Sequence, residues 1–501
     1  MAPSSLATLT DLPHELLSHI IDPLDGELIY TLSRTCKTLH FLALPVFLRR
    51  NGILNIPEIP DLLRISNSSR EGLGALQTAL FAGNFRCIQC YLTEDVDRLF
   101  YDIRALQGFL AGLPSINSFT LGYYPRTSGD TIESAIRDAK LDMQKWSTEF
   151  SALMDVALQK SCRSFYVFGG DKLFANSHAP TPWKTLPQKA LSIFSKTRNL
   201  AEHIHPLTAF ECPSIRIRSL MFLHPQLFHW TQFTLQRRGR ALKDLEFDVV
   251  VGSSTWHQLL PTLVLPSLSN FTLTSNRRVK GKGVALKDVE VFLRSNASIG
   301  SLSLTGIIIP KPTPQLSKPI LPDLHTLDAP PEFITWIFSC KVTLRNLKDV
   351  TIKSVSGEFD YQQLDEALKV IALFSQTGAL RLSLHFSKTK CHEWMLQHVS
   401  NSMSSSGSVI ESLTMVTDLD IQCKYWMRLD DTDEPVMQLL PQFLALFSHS
   451  EKINFGEQLC FPWNNDLRGC KDLLKEILSL CPRLKTVSVN SQAIDLAYLD
   501  V

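Results

Sequence analysis

The sequence predicts an α/β fold: a repeat solenoid of short parallel strands backed by helices, behind a small helical motif at the N-terminus. Three observations predict it. At 501 residues the chain exceeds what one ordinary hydrophobic core holds, so it forms several domains or extends its core along one axis. Residues 1–50 carry apolar side chains at helical spacing. From about residue 113 onward the pattern apolar-x-x-apolar-x-apolar recurs twelve times between segments of helical periodicity.

Within residues 1–50, Leu12, Leu16, Leu17, Ile20, Ile21 and Leu24 follow the spacing of an amphipathic helix, with Asp11 as its expected cap and Pro13 in its first turn. Asp25 and Gly26 break the pattern. Leu28, Leu32, Cys36, Leu39 and Leu42 then imply a second short helix, expected to end before Pro45 because proline pushes the preceding residue out of helical geometry. So few helices bury too little surface to stand alone, so one apolar face needs a partner or the next domain to cover it.

This segment resembles an F-box. The pattern LPxEllxxIl…L…L…LsxxCkxl is matched by Leu12, Pro13, Glu15, Leu16, Leu17, Ile20, Ile21, Leu24, Leu28, Leu32, Ser33, Cys36, Lys37 and Leu39. In that family the motif binds a Skp-type adaptor that links it to a cullin-RING ubiquitin ligase. The resemblance therefore implies adaptor docking by Leu12, Pro13, Leu16, Leu17 and Ile20, supported by Leu24, Leu28 and Leu32. Many members carry an aromatic residue shortly after the cysteine; Lys37, Thr38 and Leu39 stand here instead. The alternative is a helical hairpin that caps the end of the solenoid.

Residues 51–112 read as a helical junction, in which Leu99, Ile103, Leu106 and Leu110 form a helix leading into the first strand. Residues 113–501 read as the solenoid. Its strands are expected at Phe119–Leu121, Phe165–Val167, Leu220–Phe222, Leu245–Phe247, Phe271–Leu273, Leu302–Leu304, Leu327–Ala329, Val350–Ile352, Leu382–Leu384, Leu413–Met415, Ile453–Phe455 and Val487–Val489. Several intervals fall near the roughly 20–29 residues of a leucine-rich repeat. Longer ones leave room for convex helices around Leu286–Leu293, Leu364–Phe374, Leu439–Phe447 and Leu473–Leu478. The strands would lie parallel in one curved sheet. The whole layout resembles fungal F-box proteins with irregular leucine-rich repeats.

Side chains that alternate away from the core on these strands would line a concave face, the usual partner surface of solenoids. Glu246, Asp328, Lys353, Arg381 and His385 are the expected target contacts, within a row otherwise of small polar residues such as Thr272, Ser303, Thr351, Ser383, Thr414, Asn454 and Ser488. Arg381 and Tyr166 are the only anchors of the aromatic or arginine type that dominates interfaces.

With 50 basic and 49 acidic residues the chain lacks the charge excess that draws proteins to nucleic acid or anionic membranes, and the expected partner is another protein. No secretory signal or membrane span is expected, which points to an intracellular protein. Eleven scattered cysteines read as reduced thiols; Cys36, Cys162, Cys340 and Cys481 are expected to fill core.

Sequence signals for chemistry are weak. His14 and His19 flank Glu15 five apart rather than four, off the spacing of a zinc-protease helix. Cys87 and Cys90 form a lone CxxC, expected in a helix and short of two zinc ligands. The acidic run Asp430, Asp431, Asp433 and Glu434 lacks the glycine of a calcium loop, and the basic runs at 237–240 and 277–282 read as solvated turns. No metal, cofactor or catalytic residue is expected. The function implied is that of a non-enzymatic, substrate-recruiting ligase subunit; a repeat scaffold without that link is the alternative.

Overall fold

The computed structural model describes residues 9–55, 61–66, 70–93, 96–124, 143–160, 162–170, 212–275, 283–340, 344–353, 360–374, 378–386, 391–403, 407–423, 434–456, 468–489 and 492–494. The acidic run at 430–433 and the basic run at 277–282 lie outside them. The chain divides into two compact units, Met1–Phe247 and Asp248–Val501. Each combines helices with a mostly parallel sheet, and among the described residues no helix is long and apolar enough to cross a membrane.

The first unit opens with helices α1 (His14–Ile21), α2 (Gly26–Ser33) and α3 (Lys37–Arg50). Pro13, not Asp11, occupies the N-cap of α1, while Asp25 caps α2 by accepting from Leu28 N–H at 2.8 Å. The expected stop before Pro45 does not occur, and α3 runs through it to Arg50. An internal proline costs roughly 3 kcal/mol. Burial of Leu39, Leu44, Phe47 and Leu48, at roughly 1.5–3 kcal/mol each, outweighs that penalty.

His40 joins these helices to the chain beyond them. Leu80 N–H can only donate, so His40 Nε2 accepts from it at 3.1 Å and Nδ1–H donates to Ser33 O at 2.9 Å. Replacing His40 with alanine strands a buried carbonyl and a half-buried N–H. A loss of about 2 kcal/mol, measured as a shift in denaturant midpoint, is expected.

Strand β1 (Ile53–Asn55) pairs antiparallel with β2 (Leu62–Ser66). Then β3 (Cys87–Thr93), β4 (Ser118–Tyr124), β5 (Ser164–Phe168), β6 (Ser214–Arg218) and β7 (Asp244–Asp248) follow in parallel order. Between them lie α4 (Arg70–Leu76), α5 (Val96–Gly112), α6 (Met143–Gln159) and α7 (Pro225–Arg238). Residues 51–112 thus hold three strands besides their helices, which the expected helical junction lacked. Inward residues Ile88, Phe119, Leu121, Phe165, Val167, Ile215 and Ile217 are buried. Trp146 stacks on Phe150 at 4.8 Å between ring centroids, and Phe150 meets Phe222 at 5.7 Å.

Further sequence expectations fail in this unit. Leu220–Phe222 is a 3-10 turn, not a strand; Met221, Phe222 and Leu223 are all buried, which a helical turn permits and a strand with alternating faces does not. The CxxC lies on β3 rather than a helix, with Cys90 buried and Cys87 half-buried. Residues three apart on a strand face opposite sides, so these thiols do not converge. Cys36 is exposed and Cys340 half-buried, because both lie at helix ends, whereas Cys162 and Cys481 are in the core as expected.

In the second unit β8 (Asn270–Thr274), β10 (Ser301–Leu304), β12 (Thr326–Ala329), β13 (Asp349–Lys353), β14 (Leu380–Phe386), β15 (Val416–Cys423), β16 (Lys452–Phe455) and β17 (Thr486–Val489) lie parallel in that order. Antiparallel β18 (Gln492–Ile494) closes the row, and β9 (Val284–Ala285) pairs with β11 (Ile307–Ile308) separately. The helices are α8 (Ser253–Leu259), α9 (Leu286–Ser295), α10 (Pro331–Ile337), α11 (Tyr361–Phe374), α12 (Cys391–Ser402), α13 (Glu434–Ala445) and α14 (Arg468–Leu480). Four of them occupy the segments where the sequence calls for convex helices.

The expected strand at Leu413–Met415 begins instead at Val416. Ser408 and Glu411 form a reciprocal capping box that holds Val409–Ser412 in a 3-10 turn, so residue 413 is still leaving that turn. Asp420, not Thr414, therefore stands level with Ser383 and Asn454.

Candidate docking surfaces

Three surfaces gather the candidate side chains. On the N-terminal helices, Leu12, Leu16, Ile20 and Leu28 are 36%, 50%, 42% and 50% exposed. The first three recur every four residues along one side of α1 and its lead-in, and Leu28 adds an apolar position on α2. Pro13 is exposed beside them, while Leu24 and Leu32 are half-buried. Leu17, expected in the docking row, is only 1% exposed. One residue beyond Leu16 it turns about 100° around the helix, and with Ile21 and Ile29 it enters the core. Tyr30 stacks on Phe47 at 4.9 Å, and the Arg50 guanidinium donates to Leu24 O at 2.5 Å and to Asp22 O. These contacts hold α1 and α2 on α3 with the apolar row facing outward.

The second surface is the outward face of the second unit's sheet. In register across seven strands stand Ser303, Asp328, Thr351, Ser383, Asp420, Asn454 and Ser488. Asp328 accepts from Lys353 Nζ at 2.5 Å and from Ser303 Oγ at 2.8 Å. Asp420, 4% exposed, accepts from Ser383 Oγ and Gln422 Nε2, both at 3.2 Å, and from Asn454 Nδ2 at 3.0 Å; Arg381 stands 3.5 Å from it. His385 is half-buried, level with Lys353 and Gln422. The structure thus pairs the expected contacts Asp328 and Lys353 with each other and sets Arg381 on Asp420, which was not among them.

Asp349 is held above the usual carboxylate range by burial, with Asp418, Asp420 and Asp328 adding to the rise and Arg381 opposing it. A carboxyl raised in the folded state opposes folding at neutral pH and ceases to as pH falls through its folded value. Asp349→Asn is therefore expected to raise the melting temperature at neutral pH, by less as pH approaches about 4, in paired thermal melts.

The third surface, largely missed by sequence reasoning, is the outward face of the first unit's sheet. Tyr91, Gly122, Phe168 and Arg218 stand in one register row; Arg64, Thr120, Tyr166, Arg216 and Glu246 stand in the next. Arg64 lies over Tyr91 at 4.9 Å, and Arg218 lies over Tyr166 at 5.6 Å. Phe168 stacks on Tyr166 at 5.1 Å and meets Tyr91 edge-on at 6.1 Å. Its ring covers bare backbone at Gly122, where a Cβ would come within 2.5 Å of Phe168 Cζ. Glu246, the one expected target contact here, is held by Arg218 at 2.7 Å and lies 3.6 Å from Arg216. The alternation Ser214-Ile215-Arg216-Ile217-Arg218 was the legible signal for this face.

One constellation has the composition of a hydrolase triad. His398 contacts Ser408 Oγ at 2.9 Å through Nδ1 and Asp365 Oδ1 at 3.0 Å through Nε2. Ser408 is 7% exposed and its Oγ caps Ile410 N–H, while Trp394 Nε1 donates to the same Asp365 oxygen. The group ties α11, α12 and the following turn together, and its serine is committed to the backbone. No protein-family model matches the chain, and no curated protein matches it.

Proposed function

We propose that the chain is the substrate-recruiting subunit of a cullin-RING ubiquitin ligase, taking a Skp-type adaptor on α1 and α2 and a target protein on the outward strand faces of a leucine-rich-repeat solenoid. One observation carries the reading: four apolar side chains stand exposed at Leu12, Leu16, Ile20 and Leu28, positions to which the F-box resemblance assigns adaptor docking. Around them His14, Glu15, His19 and Glu27 are also exposed, giving an apolar strip with a polar rim, the anatomy of a protein interface. The mechanism is positional: holding a target near a ubiquitin-charged enzyme raises effective concentration, and no side chain of this chain takes part in bond chemistry.

Co-purification with the host's Skp-type adaptor tests the reading, using the intact chain beside a Leu12/Pro13→Ala variant. Capture by the intact chain and loss in the variant is the expected result. Failure of the intact chain to capture the adaptor removes the ligase reading. A second reading, a repeat scaffold whose helices cap the sheet, is favoured by the buried side of α3 and by the His40 bond to Leu80. The two divide the motif between them: α3 seats it, and α1 with α2 present the outer face.

A further inference from the structure

We infer that Cys162 and Cys212 form a redox-sensitive clasp, a disulfide that hydrogen peroxide closes between adjacent repeats of the first unit and a dithiol reopens. The Cys212 sulfur makes the first attack, with the Arg238 guanidinium near it, and Cys162 resolves the product. This site is separate from the docking surfaces and stands whether or not the chain serves a ligase.

From β4 to β7 an apolar side chain precedes the first inward residue of each strand by three positions. Ile116 stands there ahead of Phe119, and Leu242 ahead of Leu245. In the two repeats between them the position is cysteine: Cys162 ahead of Phe165 and Cys212 ahead of Ile215. All four are 0% exposed. Ser164 is level with Ser214, so the two cysteines enter adjacent parallel strands at the same height. Neighbouring strands lie roughly 4.8 Å apart, within the roughly 4.4–6.8 Å between Cα atoms that a disulfide spans. The two thiols are in hydrogen-bonding contact with each other. Cys162 Sγ also lies 3.0 Å from Ser164 O, and Cys212 Sγ 3.5 Å from Ser214 O. A single buried cysteine is ordinary core filler, whereas two side by side in consecutive repeats are a pair that oxidation can join.

Arg238, the last residue of α7, separates the two roles. Its Nη1 is buried and has no hydrogen-bond partner. Contact with the Cys162 thiol draws the Cys212 thiol below its ordinary range, and the charge of Arg238 adds to the fall while burial opposes it. Cys162 is held up by the same contact and by burial. The Cys212 thiolate attacks one oxygen of hydrogen peroxide, the O–O bond breaks, and the leaving hydroxide takes up the Cys212 proton as water. The Cys162 sulfur then attacks the sulfenic sulfur. An S–S bond forms, the S–O bond breaks, and the departing hydroxide takes the Cys162 proton as a second water. Two thiols thus give up two electrons and two protons, and peroxide becomes two waters. Both sulfurs are shut off from solvent, so the reaction waits on local opening and runs on the order of minutes to hours.

The test uses the full chain, reduced with dithiothreitol, desalted, treated with hydrogen peroxide under native conditions and digested without reductant. Mass spectrometry should show the Cys162 and Cys212 peptides joined, lighter than their sum by two hydrogens, and separate again after dithiothreitol. The clasp closes a loop of about 50 residues, so the oxidised chain should melt about 5 °C or more above the reduced one. Cys162→Ala/Cys212→Ala should lose that rise. Each variant is compared with itself, oxidised against reduced, so any cost of underfilling the core cancels. Arg238→Gln should close the pair severalfold more slowly at about pH 7 and match the intact chain above about pH 9, where the thiol ionises unaided. Pairing of either cysteine with a different thiol, joining only in denaturant, or no melting rise on oxidation overturns the inference. A deficit in Arg238→Gln that is the same at every pH overturns the part given to Arg238.

Discussion

Replacing Leu16 and Ile20 together with glutamate is expected to abolish binding to the Skp-type adaptor while leaving the fold intact. Both side chains are close to half exposed, 50% and 42%, so a charged substitute stays in water and folding stability should move by no more than about 0.5 kcal/mol. In the proposed complex the same positions are desolvated. Losing two apolar anchors removes roughly 1.5–3 kcal/mol each, and burying carboxylates adds a further penalty. Together these exceed about 3 kcal/mol, a loss of more than a hundredfold in affinity by calorimetry. Leu17→Glu is the contrasting control. It places a charge at a site 1% exposed, so it should unfold the N-terminal helices rather than act on binding alone.

The second large effect lies in the other unit. Asp420→Ala should destabilise the protein by about 3 kcal/mol, read as a drop in denaturant midpoint. Its carboxylate accepts from Ser383, Gln422 and Asn454 and stands 3.5 Å from Arg381, and Ser383 is itself only 4% exposed. Removing one acceptor leaves several donors short of partners in a half-dry row, and each buried one costs about 1–3 kcal/mol. Asp420→Asn keeps the shape and some of the bonds, so its loss should be smaller. If alanine there proves neutral, the row is solvated and the cross-strand network is not what fixes it.

The alternation of apolar and polar residues made ten of the twelve expected strands legible, because inward pairs such as Phe271 with Leu273 and Val350 with Ile352 mark a half-buried strand by period alone. The strands at 220 and 413 were misplaced because an apolar cluster beside the true strand imitates its spacing: at 220 it forms a 3-10 turn, and at 413 it links a 3-10 turn to the strand. The strand carrying Cys87 and Cys90 was hidden because Cys-Ile-Gln-Cys-Tyr-Leu fits either period over so short a run. Helix α3 passed through Pro45 because long-range burial overrode a local rule.

The candidate sites were legible to different degrees. The exposed row on α1 and α2 follows from helical spacing, yet Leu16 and Leu17 look alike in sequence, and only the seat of α3 decides which one turns outward. Glu246, Asp328, Lys353 and Arg381 were identified as outward residues, but their partners (Arg218 for Glu246, Lys353 for Asp328, Asp420 for Arg381) depend on strand register, which no single segment encodes. Tyr91, Phe168 and Arg218 come together from strands separated by loops of very different length. Gly122 carries no side chain to announce that a ring lies over it.

Hydrogen–deuterium exchange of the intact chain, with and without the purified Skp-type adaptor, tests the central claim most directly. Slower exchange confined to His14–Ser33 on adding the adaptor, with the strands of both units unchanged, is the predicted result. No change there, or protection that appears on the strands instead, would contradict the assignment of α1 and α2 as the docking face.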